Sequence, residues 1–175
     1  IGLRIAEVFA EAGASILICD SSDSSLSSCR EVHPDWFYIK CDVSVEDDVK
    51  NLFHFASDRL GGLDVLVNNA GIAGPTGGID ELSSESWLET VDVNLNGQFY
   101  CAKLAVPLLR ASSNPSIIAI SSVAGRLGYA YRAPYAATKW AIVGLAKSLA
   151  IELGKDGIRV NALLPGIVEG PRIEK

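Results

Sequence analysis

Apolar positions along the chain recur with two periods, and the alternation of those periods sets the architecture. Ile5, Val8, Phe9 and Ala12 fall at i, i+3, i+4 and i+7, and Gly13 follows, so residues 2–12 read as a helix burying one stripe. Residues 15–19 (Ser-Ile-Leu-Ile-Cys) are a short apolar run ended by Asp20, the signature of a strand covered on both faces. A serine-rich piece at 21–28 lacks periodicity and reads as an exposed helix or loop. Residues 36–41 form a second strand running up to Asp42, and Val49, Leu52, Phe53, Ala56 and Leu60 restore a helical stripe that Gly61 and Gly62 stop. Residues 64–68 are a third strand, followed by a Gly- and Pro-containing loop at 71–78. Beyond it the pattern predicts a short helix at 84–91 and a longer one at about 94–110, with Asn94 at its head. A strand at 116–121, a long helix at 134–154 and a strand at 159–164, halted by Pro165-Gly166, complete the chain. Strands and helices alternating at this spacing imply parallel strands joined by right-handed crossovers, with helices on both faces: an α/β doubly wound parallel sheet. The 175 residues are expected to form a single domain.

Composition narrows the class. With 49% hydrophobic and 21% charged residues the chain is far from the disordered signature. Fifteen Lys and Arg against 21 Asp and Glu leave a net charge of −6, which argues against nucleic acid as a partner. No stretch approaches the ~18 apolar residues of a membrane-spanning helix. Cys19, Cys29, Cys41 and Cys101 lack metal-ligand spacing, and only His33 and His54 could add to them, so no metal site is expected. Free thiols in a reducing, cytoplasmic compartment are the expectation.

Ligands of an open parallel sheet sit at the carboxyl ends of its strands, which directs attention to the residues just after each apolar run. Asp20 lies eighteen residues after Gly2, close to the separation of about 20 between a dinucleotide-binding glycine turn and the acid that reads the adenosine ribose. A carboxylate there repels a 2′-phosphate, and no Arg or Lys lies directly beside Asp20 in the sequence, so NAD is the expected cofactor and NADP the lesser alternative. Asn68-Asn69-Ala70-Gly71 lets backbone approach a flat ligand. Tyr135 and Lys139, four residues apart, share one helix face, where the ammonium can favour the phenolate of a group whose pKa is ordinarily about 10. Ser121-Ser122 closes the preceding strand, thirteen residues before Tyr135 counted from Ser122.

In order and spacing, Asn68-Asn69-Ala70-Gly71, the Val-Asn-Leu-Asn-Gly stretch around Asn94, Ile120-Ser121-Ser122, Tyr135 to Lys139 and Pro165-Gly166 resemble the short-chain dehydrogenase/reductase family over nearly the whole chain. The resemblance implies a single-domain Rossmann fold and an oxidoreductase moving a hydride between NAD(H) and a secondary alcohol or ketone. It implies Tyr135 as general acid/base, Ser122 rather than Ser121 as donor to the substrate oxygen, Lys139 as holder of the nicotinamide ribose, and Asn94 as anchor of a water in a proton relay. It implies Ile1 and Gly2 as the end of the phosphate-cradling loop, with Asp20 on the ribose and Asp42 with Val43 on the adenine. Asn69, Ala70 and Gly71 would then line the adenosine side, and Pro165, Gly166 and Ile167 the nicotinamide carboxamide.

Only the last two residues of the family's glycine loop are present, and the chain stops inside what would be a substrate lid. The expectation is a chain lacking the first strand, an interior one, and the C-terminal helix and strand. Gly170 stands where family members often carry a Thr. The mouth is expected to be lined by Ala124, Arg126, Leu127, Tyr129, Tyr131 and the segment after Pro165, suiting a small or medium hydroxyl compound such as a polyol, sugar derivative or 3-oxoacyl compound. The helix at 134–154 carries more apolar surface than one stripe needs, which points to a homotetramer built with help from the helix near 94–110. Alternative readings are a non-catalytic dinucleotide-binding sensor or scaffold, a 3-oxoacyl-type reductase using NADPH, and an epimerase or dehydratase on the same fold.

Overall fold

The computed structural model describes residues 1–168, and the position of Gly170 lies outside them. Helix α1 (Gly2–Glu11) leads to strand β1 (Leu17–Asp20), helix α2 (Asp23–Val32) and strand β2 (Phe37–Lys40). Helix α3 (Glu46–Leu60), strand β3 (Val65–Asn68) and helix α4 (Ser84–Val91) follow, then a π-helical turn (Asp92–Asn96) that runs straight into helix α5 (Gly97–Leu109). Strand β4 (Ser116–Ile120), a 3₁₀ turn (Val123–Gly125), helix α6 (Ala133–Leu153) and strand β5 (Arg159–Leu163) complete the described elements.

All strand pairing is parallel. Strands β1 and β2 form one sheet, and β3, β4 and β5 another with β4 in the middle. Helices flank both sheets, as expected of a doubly wound α/β protein. The serine-rich piece resolves into α2, whose N-cap Ser22 accepts from the Ser25 N–H and whose only buried residue is Leu26. One buried face in ten residues of mostly small polar side chains explains why the sequence carries so weak a period.

One core joins the two sheets. Cys41, Val43, Val49, Leu52 and Phe53 from the β2–α3 region meet Cys101, Ala102, Ala105 and Leu109 of α5, and these meet Ile117, Ala119, Ile142 and Val160. Gly97 sets how closely α5 approaches: a Cβ there would stand 2.8 Å from Val43 Cγ2 and 3.1 Å from the Val43 carbonyl oxygen. All four cysteines are free. The Cys41 thiol is pushed up by its hydrogen bond with Cys19 and by burial, and burial pushes Cys101 up to about 12, so both are held as neutral thiols.

The expected head of a helix at Asn94 needs correction. Residues 84–109 run as one helical path, and Asn94 sits inside its π turn, where the Gly97 N–H reaches back to the Asp92 carbonyl. A π turn inserts one extra residue and rotates the side chains that follow; nothing in the spacing of apolar residues marks such a local change of pitch.

Candidate active site

The carboxyl end of β4 and the first two turns of α6 supply the centre of the site. Ser121 and Ser122 leave β4 in different directions. Ser121 is buried and donates to the Lys139 carbonyl at 2.7 Å, which fastens α6 to the strand end. Ser122 is half-buried, and its oxygen accepts from the Ala124 N–H at 3.2 Å as N-cap of the 3₁₀ turn. That bond uses a lone pair of the hydroxyl and leaves its proton to be donated elsewhere.

Tyr135 is half-buried in the first turn of α6, with Lys139 one turn later. The Lys139 ammonium lies 5.5 Å from the centre of the Tyr135 ring. Lys139 is 5% exposed and donates to the Ile120 carbonyl at 3.1 Å.

Asn94 is fully buried and its amide is used on both sides. Its Oδ1 accepts from the Ile72 N–H at 2.8 Å, and its Nδ2 donates to the Ile72 carbonyl at 3.0 Å and to Thr138 Oγ1 at 3.2 Å. Thr138 donates in turn to the Tyr135 carbonyl at 2.8 Å. Asn94 thereby pins the loop after β3 to the helix that carries Tyr135 and Lys139. A Cβ on Gly71 would lie 3.0 Å from Asn94 Oδ1 and 3.6 Å from Lys139 Nζ, so the bare backbone of Gly71 opens a cradle between those two side chains.

Thr138 and Gln98 are members of this network that sequence reasoning missed. Gln98 is buried on α5; its backbone carbonyl accepts from Asn68 Nδ2 at 3.2 Å and its Nε2 donates to the Ile120 carbonyl at 3.4 Å. Polar residues at core positions of two otherwise apolar helices are the signal that could have found both.

The remaining expected residues fall into two groups. Pro165 is brought to the centre, accepting from the Val123 N–H at 3.0 Å, with Gly166 beside Val123 and Ile167 91% exposed. Ile1 caps α1, and a Cβ on Gly2 would stand 2.6 Å from Asn69 Nδ2, so the start of α1 meets the Asn69–Ala70–Gly71 loop. Asp20 ends β1 exposed, accepting from the Ser22 N–H at 2.8 Å. Asp42, after β2, accepts from the Ser44 N–H and hydroxyl at 3.0 and 2.6 Å, while the Val43 side chain is buried against Gly97. The surroundings of Asp20 differ from the expectation of no basic neighbour. Parallel pairing places Lys40 across from Asp20, a proximity that sequence distance hides, and its ammonium is held by Asp23 at 2.6 Å.

The family model for short chain dehydrogenases matches residues 1–175. The chain belongs to the short-chain dehydrogenase family. Relatives within it include L-fucose dehydrogenase of Bos taurus, 36% identical over 175 residues, which are 100% of this chain and 64% of that protein. Another is the 3beta-hydroxysteroid dehydrogenase of Mediterraneibacter gnavus, 35% identical over 179 residues that take in 100% of this chain and 64% of that protein. The chain thus spans less than two thirds of either relative. Among solved structures, a variant of actinorhodin polyketide ketoreductase with NADPH superposes with a TM-score of 0.90 at 35% identity, covering 98% of this chain and 67% of that one. As a short-chain dehydrogenase the chain has a Rossmann-type sheet, and nicotinamide dinucleotides are the cofactors its family binds. Among its described residues no helix is long and apolar enough to cross a membrane.

Proposed function

We propose that the protein is an NAD(H)-dependent oxidoreductase interconverting a secondary alcohol and its ketone, with Ser122, Tyr135, Lys139 and Asn94 as its working set. The observation that carries this reading is the buried Lys139 ammonium 5.5 Å from the Tyr135 ring, locked through Thr138 and Asn94 to the loop after β3. Binding alone needs no such acid/base pair, so the non-catalytic sensor reading is the weaker one. Dehydrogenase names among the relatives support the same choice.

The residues present fit a nicotinamide dinucleotide. Gly2 and Gly71 leave backbone bare where a side chain would collide with Asn69 or crowd Asn94. The first turn of α1 offers N–H groups without helical partners to a pyrophosphate. Asp20 would read the adenosine ribose, Asp42 and Val43 the adenine, and Asn69, Ala70 and Gly71 the adenosine side. Lys139 would hold the second ribose, and Pro165, Gly166 and Ile167 the carboxamide. When bound, the nicotinamide supplies or accepts the hydride. The protein's own part is proton and charge management. Ser122 donates to the substrate oxygen and stabilises charge developing there. The Tyr135 hydroxyl gives its proton to that oxygen during reduction and takes it back during oxidation. Lys139 sets a positive charge beside the Tyr135 ring, and Asn94 would anchor the water that relays the proton onward.

NADP(H) is favoured by similar solved structures, since the ketoreductase holds NADPH and two structures of ElxO hold NADP or NADPH. Against it stand the Asp20 carboxylate and the engagement of Lys40 by Asp23. Fluorescence titration with NADH and with NADPH decides: tighter NADH binding is expected, and tighter NADPH binding overturns the choice of NAD. Tyr135→Phe should lower turnover of a secondary alcohol by roughly a thousandfold while leaving NADH affinity nearly intact. Retained turnover removes Tyr135 from the mechanism.

We also infer a cytoplasmic homotetramer. Trp140 and Ile151 are exposed on α6 and Phe99 on α5, apolar surface of the kind that a subunit contact covers. Light scattering at micromolar concentration should give four subunits; a monomer sinks this assignment.

A further inference from the structure

Tyr131 is the only non-glycine residue with positive φ among the described residues, at 60°, in the loop between β4 and the helix that carries Tyr135. A bulky side chain held there costs free energy that surrounding contacts must offset, and such strain collects at sites of function. The contacts are present. The Tyr131 carbonyl accepts from the Gly77 N–H at 3.1 Å. Arg132 Nη1 donates to the Ala73 carbonyl at 3.1 Å and the Gly74 carbonyl at 3.4 Å, while its own carbonyl accepts from the Ala136 N–H at 2.9 Å in the first turn of α6. Gly74, with φ at 64°, leaves no room for a Cβ, which would stand 2.7 Å from Thr90 Oγ1. Two loops are thus latched together on either side of a Tyr that is itself 66% exposed.

The chemistry of that loop is one-sided. Between Ser122 and Arg132 it reads Val-Ala-Gly-Arg-Leu-Gly-Tyr-Ala-Tyr, in which Arg126 is the sole charged residue and no carboxylate or amide side chain occurs. Val123, Leu127, Tyr129 and Tyr131 are all exposed, and so are Ile167 and Val168 in the segment that Pro165 ties to Val123. A polyol site needs several converging hydrogen-bonding side chains, because each buried hydroxyl must be paired. An exposed apolar patch continuous with a reactive centre suits an apolar ligand.

Resting on the functional reading above, we propose that Tyr131 is a specificity-determining residue, held in its strained backbone by the Arg132 latch as an aromatic wall, and that the substrate is an apolar ring alcohol or ketone rather than a polyol. Tyr131 acts on which carbonyl compound is accepted, and Arg132 is a positioning residue that acts through it.

The test uses the full chain, NADH as reductant, 2-decalone as the apolar ring ketone and dihydroxyacetone as the polyhydroxylated one. The wild type should show a kcat/KM for 2-decalone at least about tenfold above that for dihydroxyacetone. Tyr131→Gly removes the ring at a backbone position that glycine adopts without strain, so the variant should keep its thermal midpoint and lose most of that ratio, chiefly through a higher KM for 2-decalone. Tyr131→Phe should keep the ratio. Arg132→Ala, which removes the donor to both the Ala73 and Gly74 carbonyls, should lose part of it. A wild type that prefers dihydroxyacetone, or a Tyr131→Gly variant with unchanged selectivity, overturns the inference while leaving the oxidoreductase reading intact. No oxidation of NADH, or of NADPH in its place, with either class, nor with other ketones, overturns the oxidoreductase reading and this inference with it.

Discussion

The two sheets of the molecule are built differently. Strand β4 is almost wholly buried, and every strand of its sheet delivers a residue to a buried polar network: Asn68 from β3, the Ile120 carbonyl from β4, and the Leu163 carbonyl that accepts from the Ser121 N–H from β5. Strands β1 and β2 are mostly half-buried and end in exposed Asp20 and Lys40, whose partners are surface groups. The arrangement suits the tasks proposed for each half. Acid/base work needs charges fixed in place away from water, where electrostatic effects are strong, and most of the buried polar groups here are paired. Reading a ribose needs only a carboxylate at a strand end, with nothing locking it from behind.

The contrast breaks most visibly at Asn94. Asn94→Ala leaves the Ile72 N–H and carbonyl without their partners inside the protein, a loss of about 3 kcal/mol. At about 2–4 °C per kcal/mol for a chain of this size, the thermal midpoint should fall by roughly 10 °C, and turnover should fall with it as the Tyr135 helix loses its tie to the loop. A variant as stable and active as the wild type shows that the network is not what holds the catalytic half.

Gly97→Ala tests how the halves are joined. The new methyl group would meet Val43 side chain and backbone within about 3 Å, so α5 or the strand end must shift, at about 1–3 kcal/mol. Because Val43 lies next to Asp42, NADH affinity should weaken more than kcat. If calorimetry shows no loss of stability, α5 is not seated on Val43 as described.

How much of this was legible in the sequence follows from which forces are periodic. Apolar period placed the strands and every helix but α2, whose single buried residue leaves little period, because burial on one or two faces repeats along the chain. Helical spacing put Tyr135 and Lys139 on one face, as the structure has them, while the choice of Ser122 beside them came from the family resemblance. Three features left no such trace: the π turn at Asn94, which changes pitch once; the left-handed Tyr131, fixed by contacts with residues more than fifty positions away; and the pairing of Asp20 with Lys40 across β1 and β2. All three depend on tertiary neighbours that sequence spacing does not encode.

The exposed half gives smaller effects. Asp20→Ala removes a carboxylate that repels a 2′-phosphate and should narrow any NADH over NADPH preference about tenfold, equivalent to about 1.4 kcal/mol. Stability should barely change, since Asp20 is exposed and its one bond to the Ser22 N–H is a local turn contact. An unchanged cofactor ratio removes Asp20 as the ribose reader.

The smallest effect is expected where α3 and α5 meet at the surface. Lys103 donates to Glu46 at 2.8 Å and holds that carboxyl below its ordinary range, with nearby Lys50 adding to the effect. A carboxyl whose folded pKa is depressed stabilises the fold above its unfolded value of about 4.3, and the contribution disappears as pH falls through the lower folded value. Lys103→Met should therefore lower the thermal midpoint slightly at pH 7, converge with the wild type near pH 3, and lose its effect at high salt, where an exposed pair is screened. The Asn94→Ala deficit should persist at both pH values and in salt, because an unpaired buried amide does not titrate. If the two variants instead responded to pH and salt alike, the distinction between a closed, buried half and an open, solvated one would not describe this molecule.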